Sequence, residues 1–503
     1  MIKTIGIVGA GFAGLCSAKV LKAFGYEVTV FEKEADVGGV WSRARRYPGL
    51  STQNPRDTYA LSDFPMPRDY PEWPSGEQVQ AYLQNYTEAF DIAGDILLDT
   101  EVRTAVYDGD AAQWRISAER QQAAGATETI TRSFDFLLVC NGIFSTPFVP
   151  AFPGADAFEA AGGRIAHTSE FNDIEDARDK HLLVVGYGKS SCDVAEAAVG
   201  IAKSVRLAAR HLTWKMPRFI GRINFKYIML TRLGEGLFKY IRVKGFDRFL
   251  HGPGLPLRNA MLGGVEKKIA RQLDIEGVGL HPRKPFESIA RSTVSNVSGD
   301  FFPHVKSGQI VVDKGTEITQ LRAGEADLSN DETVPADIIV CGTGWKQDVA
   351  WLETAVMEKV TDAEGNFRLY QSVLPVDVPR LAFNGYNSSF FSQLSAEVCA
   401  LWLTEYLEGG ITLPSSEEMN RYCDERLAWM EARTDGTHSK GTNIIPFSVH
   451  QMDELLDDID LNLSPLKRFT QWFVPVIGSD YRALTRRLLD RHGIRQDTSG
   501  DAP

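Results

Sequence analysis

Residues 4–14 read Thr4-Ile5-Gly6-Ile7-Val8-Gly9-Ala10-Gly11-Phe12-Ala13-Gly14, and Leu15 to Phe24 follow with helical spacing. An apolar run that halts at a cluster of glycines and gives way to a helical pattern predicts strand, tight turn and helix. Gly9 permits the turn, Gly11 lets backbone approach a pyrophosphate, and Gly14 lets helix and strand pack closely. The helix N-terminus then offers unpaired N–H groups and a positive dipole end to the phosphates.

Downstream, Glu27 to Phe31 predicts a second strand that ends at Glu32. An acid there accepts hydrogen bonds from ribose hydroxyls and repels a 2′-phosphate, so the site selects FAD or NAD over NADP. Gly38-Gly39-Val40-Trp41 follows at once. This glycine pair looks like the extension by which flavoproteins with two dinucleotide sites close over FAD. FAD is therefore the expected cofactor, with Gly39 and Trp41 joining Gly9, Gly11, Gly14 and Glu32 as candidate contacts.

A second loop repeats the device. Lys180 to Val185 predicts an apolar strand, which runs into Gly186-Tyr187-Gly188-Lys189-Ser190-Ser191 and then a helix from about Cys192 to Ala202. Ser191 stands where the third glycine is usual, and a small residue suffices for helix–strand packing. The next strand, Ser204 to Ala208, ends at Ala209-Arg210-His211. Arg210, placed where the first loop has its acid, is a bidentate donor for a 2′-phosphate. NADPH is the expected second nucleotide, with Lys215 and Arg218 as further candidate contacts. Two loops of opposite charge imply two nucleotides with different jobs, one held and one delivering hydride.

The rest of the chain narrows the class. Its 503 residues predict two or three domains, and 43% hydrophobic with 24% charged residues is the composition of a globular protein. A net charge of −12 argues against a nucleic-acid partner. No secretory signal is read at Met1 to Gly14, and no apolar run reaches the ~18 residues of a membrane span. The cysteines (Cys16, Cys140, Cys192, Cys341, Cys399, Cys423) are scattered, so buried free thiols in a reducing cytoplasm are expected and no metal site is. Without a redox cysteine pair, a disulfide reductase of the thioredoxin-reductase kind is disfavoured. The intact loops likewise disfavour a nucleotide sensor or scaffold that has lost its chemistry.

Between the loops lies Ala161-Gly162-Gly163-Arg164-Ile165-Ala166-His167-Thr168-Ser169-Glu170-Phe171. It resembles the signature F-x-G-x-x-x-H-x-x-x-[YFW] of the class B flavoprotein monooxygenases, the flavin-containing and Baeyer-Villiger types, with Ala161 where Phe is expected. The resemblance runs over about residues 1–410. Leu137 to Pro150 and Ile338 to Trp345 look like the family's two strands that return to the FAD, which adds Gly142, Gly342 and Gly344 to the cofactor candidates. In the second loop Gly186, Gly188, Ser190 and Ser191 are the matching positions.

The resemblance implies an α/β architecture of two Rossmann-like dinucleotide-binding domains. The FAD domain, residues 1–164 and 336–411, is split by an NADPH domain, 165–335. That inserted domain carries an aromatic and basic helical insertion at about 219–280. A C-terminal helical extension, 412–503, completes the chain and ends in a tail, Gln496 to Pro503, expected to be disordered. Its acidic run, Asp453 to Asp458, has the look of a solvated face.

The activity implied is NADPH- and O2-dependent oxygenation of a small organic substrate through a C4a-(hydro)peroxyflavin. Gln53 stands where the flavin-containing branch usually has Asn and the Baeyer-Villiger branch Asp. This amide, with its neighbour Asn54, leans toward N- or S-oxygenation or hydroxylation. Baeyer-Villiger oxidation of a ketone stays open. So does halogenation of a phenol or indole, because Lys189 replaces the family's usual Asn and a few relatives oxidise halide. The substrate and the oligomeric state, a homodimer included, are not legible.

Overall fold

The computed structural model describes residues 2–122, 125–290 and 295–494. The expected disorder of Gln496 to Pro503 falls outside them.

Two five-stranded parallel sheets form the frame. In the first, Thr4–Val8 lies between Phe136–Val139 and Glu27–Phe31, with Leu381–Phe383 and Ile96–Leu97 at the edges. In the second, His181–Val185 lies between Ile338–Cys341 and Ser204–Ala209, with Arg164–His167 and Ile310–Lys314 outermost. The central strands are continuous apolar runs because a parallel sheet is covered on both faces. Phe136–Val139 and Ile338–Cys341 are buried at every position. Each fold also has a three-stranded antiparallel unit, Thr100–Asp108 with Gln113–Gln121 and Thr127–Phe134 in one, Ile318–Arg322 with Glu325–Leu328 and Thr333–Pro335 in the other.

The pairing corrects one expectation. Ile338–Cys341, expected to open the second part of the first domain, pairs with His181–Val185 and Arg164–His167 in the second sheet. It is the counterpart there of Phe136–Val139. Both folds need a parallel neighbour on that side of the glycine-loop strand. The chain rejoins the first sheet only at Leu381–Phe383.

The signature segment is also rearranged. Ala161 ends the helix Ala155–Ala160, whose Phe158 is fully buried. A Cβ on Gly163 would stand 2.4 Å from that ring. Phe158, three residues before Ala161, is the aromatic side chain that packs on Gly163.

The insertion begins as a short hairpin, Phe219–Ile220 with Ile223–Asn224, and continues as helices Lys226–Met229, Arg232–Gly236, Gly245–Leu250 and Leu255–Gln272. The extension comprises Ser416–Thr434, Ser448–Asp458, Pro465–Thr470 and Ala483–Arg491. Ser415 and Glu418 close a reciprocal capping box at its first helix. The acidic run is only partly a solvated face. Asp453 accepts two hydrogen bonds from the buried Arg232 guanidinium, at 2.5 and 2.9 Å, and so clamps the extension to the insertion. All six cysteines are free and buried.

Candidate active site

The first loop folds as its glycines require. Gly9 has φ 108°, and a Cβ there would stand 2.5 Å from the Cys140 carbonyl oxygen. A Cβ on Gly14 would come within 1.8 Å of the Gly9 oxygen, so helix and strand meet only because both positions are bare. Gly11 and Gly39 face each other and leave a floor of backbone. Glu32 is buried at the strand end, where its carboxylate accepts from the N–H groups of Ala10, at 2.7 Å, and Glu34, at 3.0 Å. Burial pushes its pKa up, and those two hydrogen bonds offset only part of the rise.

The second loop reproduces the turn. Gly186 has φ 115°, and a Cβ there would stand 2.7 Å from the Gly342 oxygen, the counterpart of the Gly9–Cys140 contact. Ser191 is fully buried and its hydroxyl donates to the same oxygen at 3.4 Å. Gly188 caps the helix Lys189–Ala197. Arg210 follows Ser204–Ala209 as an exposed side chain whose one ion pair among the described residues, to Glu317, spans 3.9 Å. Lys215 does not reach outward. Its ammonium is buried, donates to the Tyr187 carbonyl and to the Ser295 hydroxyl, and has its pKa lowered by desolvation. Its role is internal, since strand Lys215–Pro217 is tucked against Ser295–Val297. Arg218 donates to the Ser51 hydroxyl at 2.7 Å.

A cavity of about 690 Å³ joins the two loops. Gly9, Gly11, Glu32, Gly39, Trp41 and Gly142 line it from the first fold, and Lys189 and Ser190 from the second. Gln53 and Asn54 line it too. Gln53 Oε1 accepts the Asn296 N–H at 3.2 Å, and Asn54 Nδ2 donates to the Phe390 carbonyl at 2.6 Å. Lys189 pairs with Asp193 at 2.6 Å, one helical turn on, and Asp193 also accepts from the Tyr47 hydroxyl at 3.2 Å. That carboxylate ties the second loop's helix to the segment leading into Gln53. Its pKa is raised by burial, against the pull of Lys189. Gly14, Gly186, Gly188, Ser191, Arg210, Gly342 and Gly344 are off the cavity wall. Gly342 and Gly344 follow the strand Ile338–Cys341 of the second sheet. A Cβ on Gly342 would strike Ser191 Oγ at 2.0 Å, and the Gly344 carbonyl accepts from His167 Nε2 at 3.0 Å.

Sequence reasoning missed Asp193, Tyr47 and the stack in which the Arg45 guanidinium lies 4.7 Å from the Trp345 ring, itself edge-on to His167 at 4.6 Å. Only Asp193 had a local signal, its i,i+4 spacing from Lys189. The cavity suits a flavin dinucleotide. The backbone floor at Gly11 and Gly39 admits a pyrophosphate, and Glu32 stands where ribose hydroxyls would fall.

Comparison with known proteins agrees. The sequence model of the flavin-binding monooxygenase-like family matches residues 2–467. Human flavin-containing monooxygenase 1 is 28% identical over 85% of this chain and 79% of its own. Probable flavin-containing monooxygenase 1 of Arabidopsis thaliana is 26% identical over 95% and 96%. Among solved structures, ε-caprolactone-bound cyclohexanone monooxygenase superposes with a TM-score of 0.68 at 16% identity, covering 91% of this chain and 97% of that one. S-allyl-L-cysteine S-oxygenase from Allium sativum gives 0.62 at 18%, covering 100% and 95%. No helix among the described residues is long and apolar enough to cross a membrane. The chain belongs to the flavin-binding monooxygenase-like family and is an FAD- and NADPH-dependent monooxygenase.

Proposed function

We propose that the enzyme transfers one oxygen atom to a soft nitrogen or sulfur atom of a small organic substrate. Gly9, Gly11, Gly14, Glu32, Gly39, Trp41 and Gly142 hold FAD in this reading. Gly186, Gly188, Ser190, Ser191 and Arg210 serve NADPH. When both are bound, NADPH supplies hydride and FAD passes the electrons to O2, one oxygen atom going to substrate and the other to water.

The observation that carries the reading is the disposition of Gln53. Its carbonyl oxygen accepts the Asn296 N–H, and in this reading its neutral NH2 is the group offered to the cavity that Gln53 lines. A neutral amide brings no charge that would ionise the reacting oxygen, whose protonated, electrophilic form suits N and S. A ketone requires the ionised, nucleophilic form. Lys189, held by Asp193, suits positioning of the nucleotide more than relay of an oxidised halide. Asn54 braces the wall through Phe390. The test is turnover of the holoenzyme with NADPH on a tertiary amine, a thioether and a cyclic ketone, products read by mass. N-oxide or S-oxide is expected, and an ester or lactone from the ketone as the main product refutes the reading.

A further inference from the structure

Lys215 is a buried lysine without a counter-charge. It is 1% exposed, and its ammonium donates to the Tyr187 carbonyl and, at 2.8 Å, to the Ser295 hydroxyl. It also lies 4.1 Å from the centre of the Tyr187 ring. All three partners are neutral. Among the described residues no carboxylate forms an ion pair with it. Asp193, whose charge acts on it, is committed to Lys189 at 2.6 Å and to the Tyr47 hydroxyl at 3.2 Å. The Cys192 thiol beside it is buried, which pushes its pKa up and keeps it protonated. A buried charge is costly unless something compensates it.

The position of Lys215 says what that compensation is. Tyr187 is the middle residue of the Gly186-Tyr187-Gly188 turn. Lys215 holds that residue's carbonyl and ring on the inner side of the turn, while Lys189 and Ser190, which follow, line the cavity. A carbonyl oxygen facing a phosphate would repel it. Turned onto Lys215 it does not, and a cation behind the loop reinforces the positive end of the helix Lys189–Ala197. Lys189 cannot supply that charge, because Asp193 neutralises it. An anion seated on the glycine loop is the partner Lys215 lacks.

We infer that Lys215 is a positioning residue for the second nucleotide, which fixes the Tyr187 carbonyl inward and supplies from beneath the loop the positive field that the pyrophosphate meets. The inference rests on the proposed placement of NADPH at this loop. Pyrophosphate is common to NADPH and NADH, whereas the 2′-phosphate is not, so Lys215 and Arg210 should leave different signatures. The test is anaerobic stopped-flow reduction of the holoenzyme by each nucleotide, in wild type, Lys215→Met and Arg210→Ala. Lys215→Met should raise the Kd of NADPH and of NADH alike by about tenfold or more, and leave the limiting rate of flavin reduction within about twofold. Thermal unfolding and flavin content are read beside it. Removal of a buried unpaired charge by an apolar side chain of similar volume should not destabilise, so a purely structural lysine would leave both Kd values unchanged. Lys215→Gln, which keeps N–H donors without the charge, should weaken both nucleotides too, and carries the test if the Met variant loses its FAD. Unchanged Kd values for both nucleotides overturn the inference. In that event a loss of NADPH alone in Arg210→Ala keeps the loop assignment, and no loss there refutes the assignment as well. A Lys215→Met defect confined to NADPH would give Lys215 the 2′-phosphate and overturn the inference, and so would failure of both Lys215 variants to fold.

Discussion

Replacing His450 by Gln should loosen the C-terminal extension and flatten the enzyme's stability profile above neutral pH. The imidazole is held by Glu235 at Nδ1, 2.5 Å, and by Asp247 at Nε2, 2.7 Å. Burial alone would lower its pKa, but the hydrogen bonds and charges of Asp247 and Glu235 raise it from 6.5 to about 10. A cation whose pKa is higher folded than unfolded stabilises in full below the unfolded value and loses that stabilisation as pH climbs through the folded one. The window is therefore pH 6.5 to about 10. At 1.36 kcal/mol for each tenfold change in proton affinity, the ceiling is about 5 kcal/mol. His450 is 20% exposed and solvent screens the triad, so about 2 to 3 kcal/mol is the expected share. Gln keeps the backbone N–H bonds that Val449 and residue 450 give Glu235, but cannot supply the charge. The assay is urea unfolding from near-neutral to alkaline pH, with limited proteolysis to report release of the extension. Wild type should lose stability across the window, and His450→Gln should start lower and change little. Parallel profiles for the two proteins would refute the reasoning.

Gly14→Ala should cost FAD content and about 1 to 3 kcal/mol of stability or more, since its Cβ meets the Gly9 oxygen at 1.8 Å; flavin absorbance per protein and thermal unfolding check it. Arg210→Ala should raise KM for NADPH by about 10- to 150-fold, the equivalent of roughly 1.5 to 3 kcal/mol for a charge-assisted pair, and leave NADH almost untouched. Equal losses for both nucleotides would make Arg210 structural. Gln53→Ala should leave flavin reduction by NADPH nearly unchanged in stopped flow, yet divert electrons to hydrogen peroxide by about 5- to 150-fold, for a lost hydrogen bond of roughly 1 to 3 kcal/mol. Full coupling in that variant would reduce Gln53 to a support for Asn296.

The loops were legible because their chemistry is local. A glycine that must meet a carbonyl and an acid that must end a strand sit within a few residues of each other, and the geometry at Gly9, Gly14 and Gly186 follows from that. The two-fold duplication of the nucleotide fold was legible for the same reason. What failed was assignment across distance. An apolar strand such as Ile338–Cys341 has the same pattern whichever sheet it enters, and only pairing decides. The Arg232–Asp453 clamp spans a separation of 221 residues, and no periodicity announces it. Lys215 was misjudged because a lysine at a strand start gives no sign of whether its ammonium turns in or out.

The depth of the two strand-end charges suggests why one scaffold can keep one nucleotide and exchange the other. Glu32 is buried and fixed by two backbone N–H groups before any ligand arrives, with its pKa held up by desolvation. A ligand whose hydroxyls share that carboxylate meets an acceptor that needs no ordering, so it is retained. Arg210 lies 71% exposed, and its one ion-pair partner among the described residues is a carboxylate 3.9 Å away. A phosphate that captures it must order a long mobile side chain and displace its water, so part of the charge-assisted gain is lost and the ligand leaves readily. If the proposed assignment holds, the first nucleotide stays through many turnovers while the second comes and goes with each. Burial depth, more than the sign of the charge, then separates a resident cofactor from a consumed one.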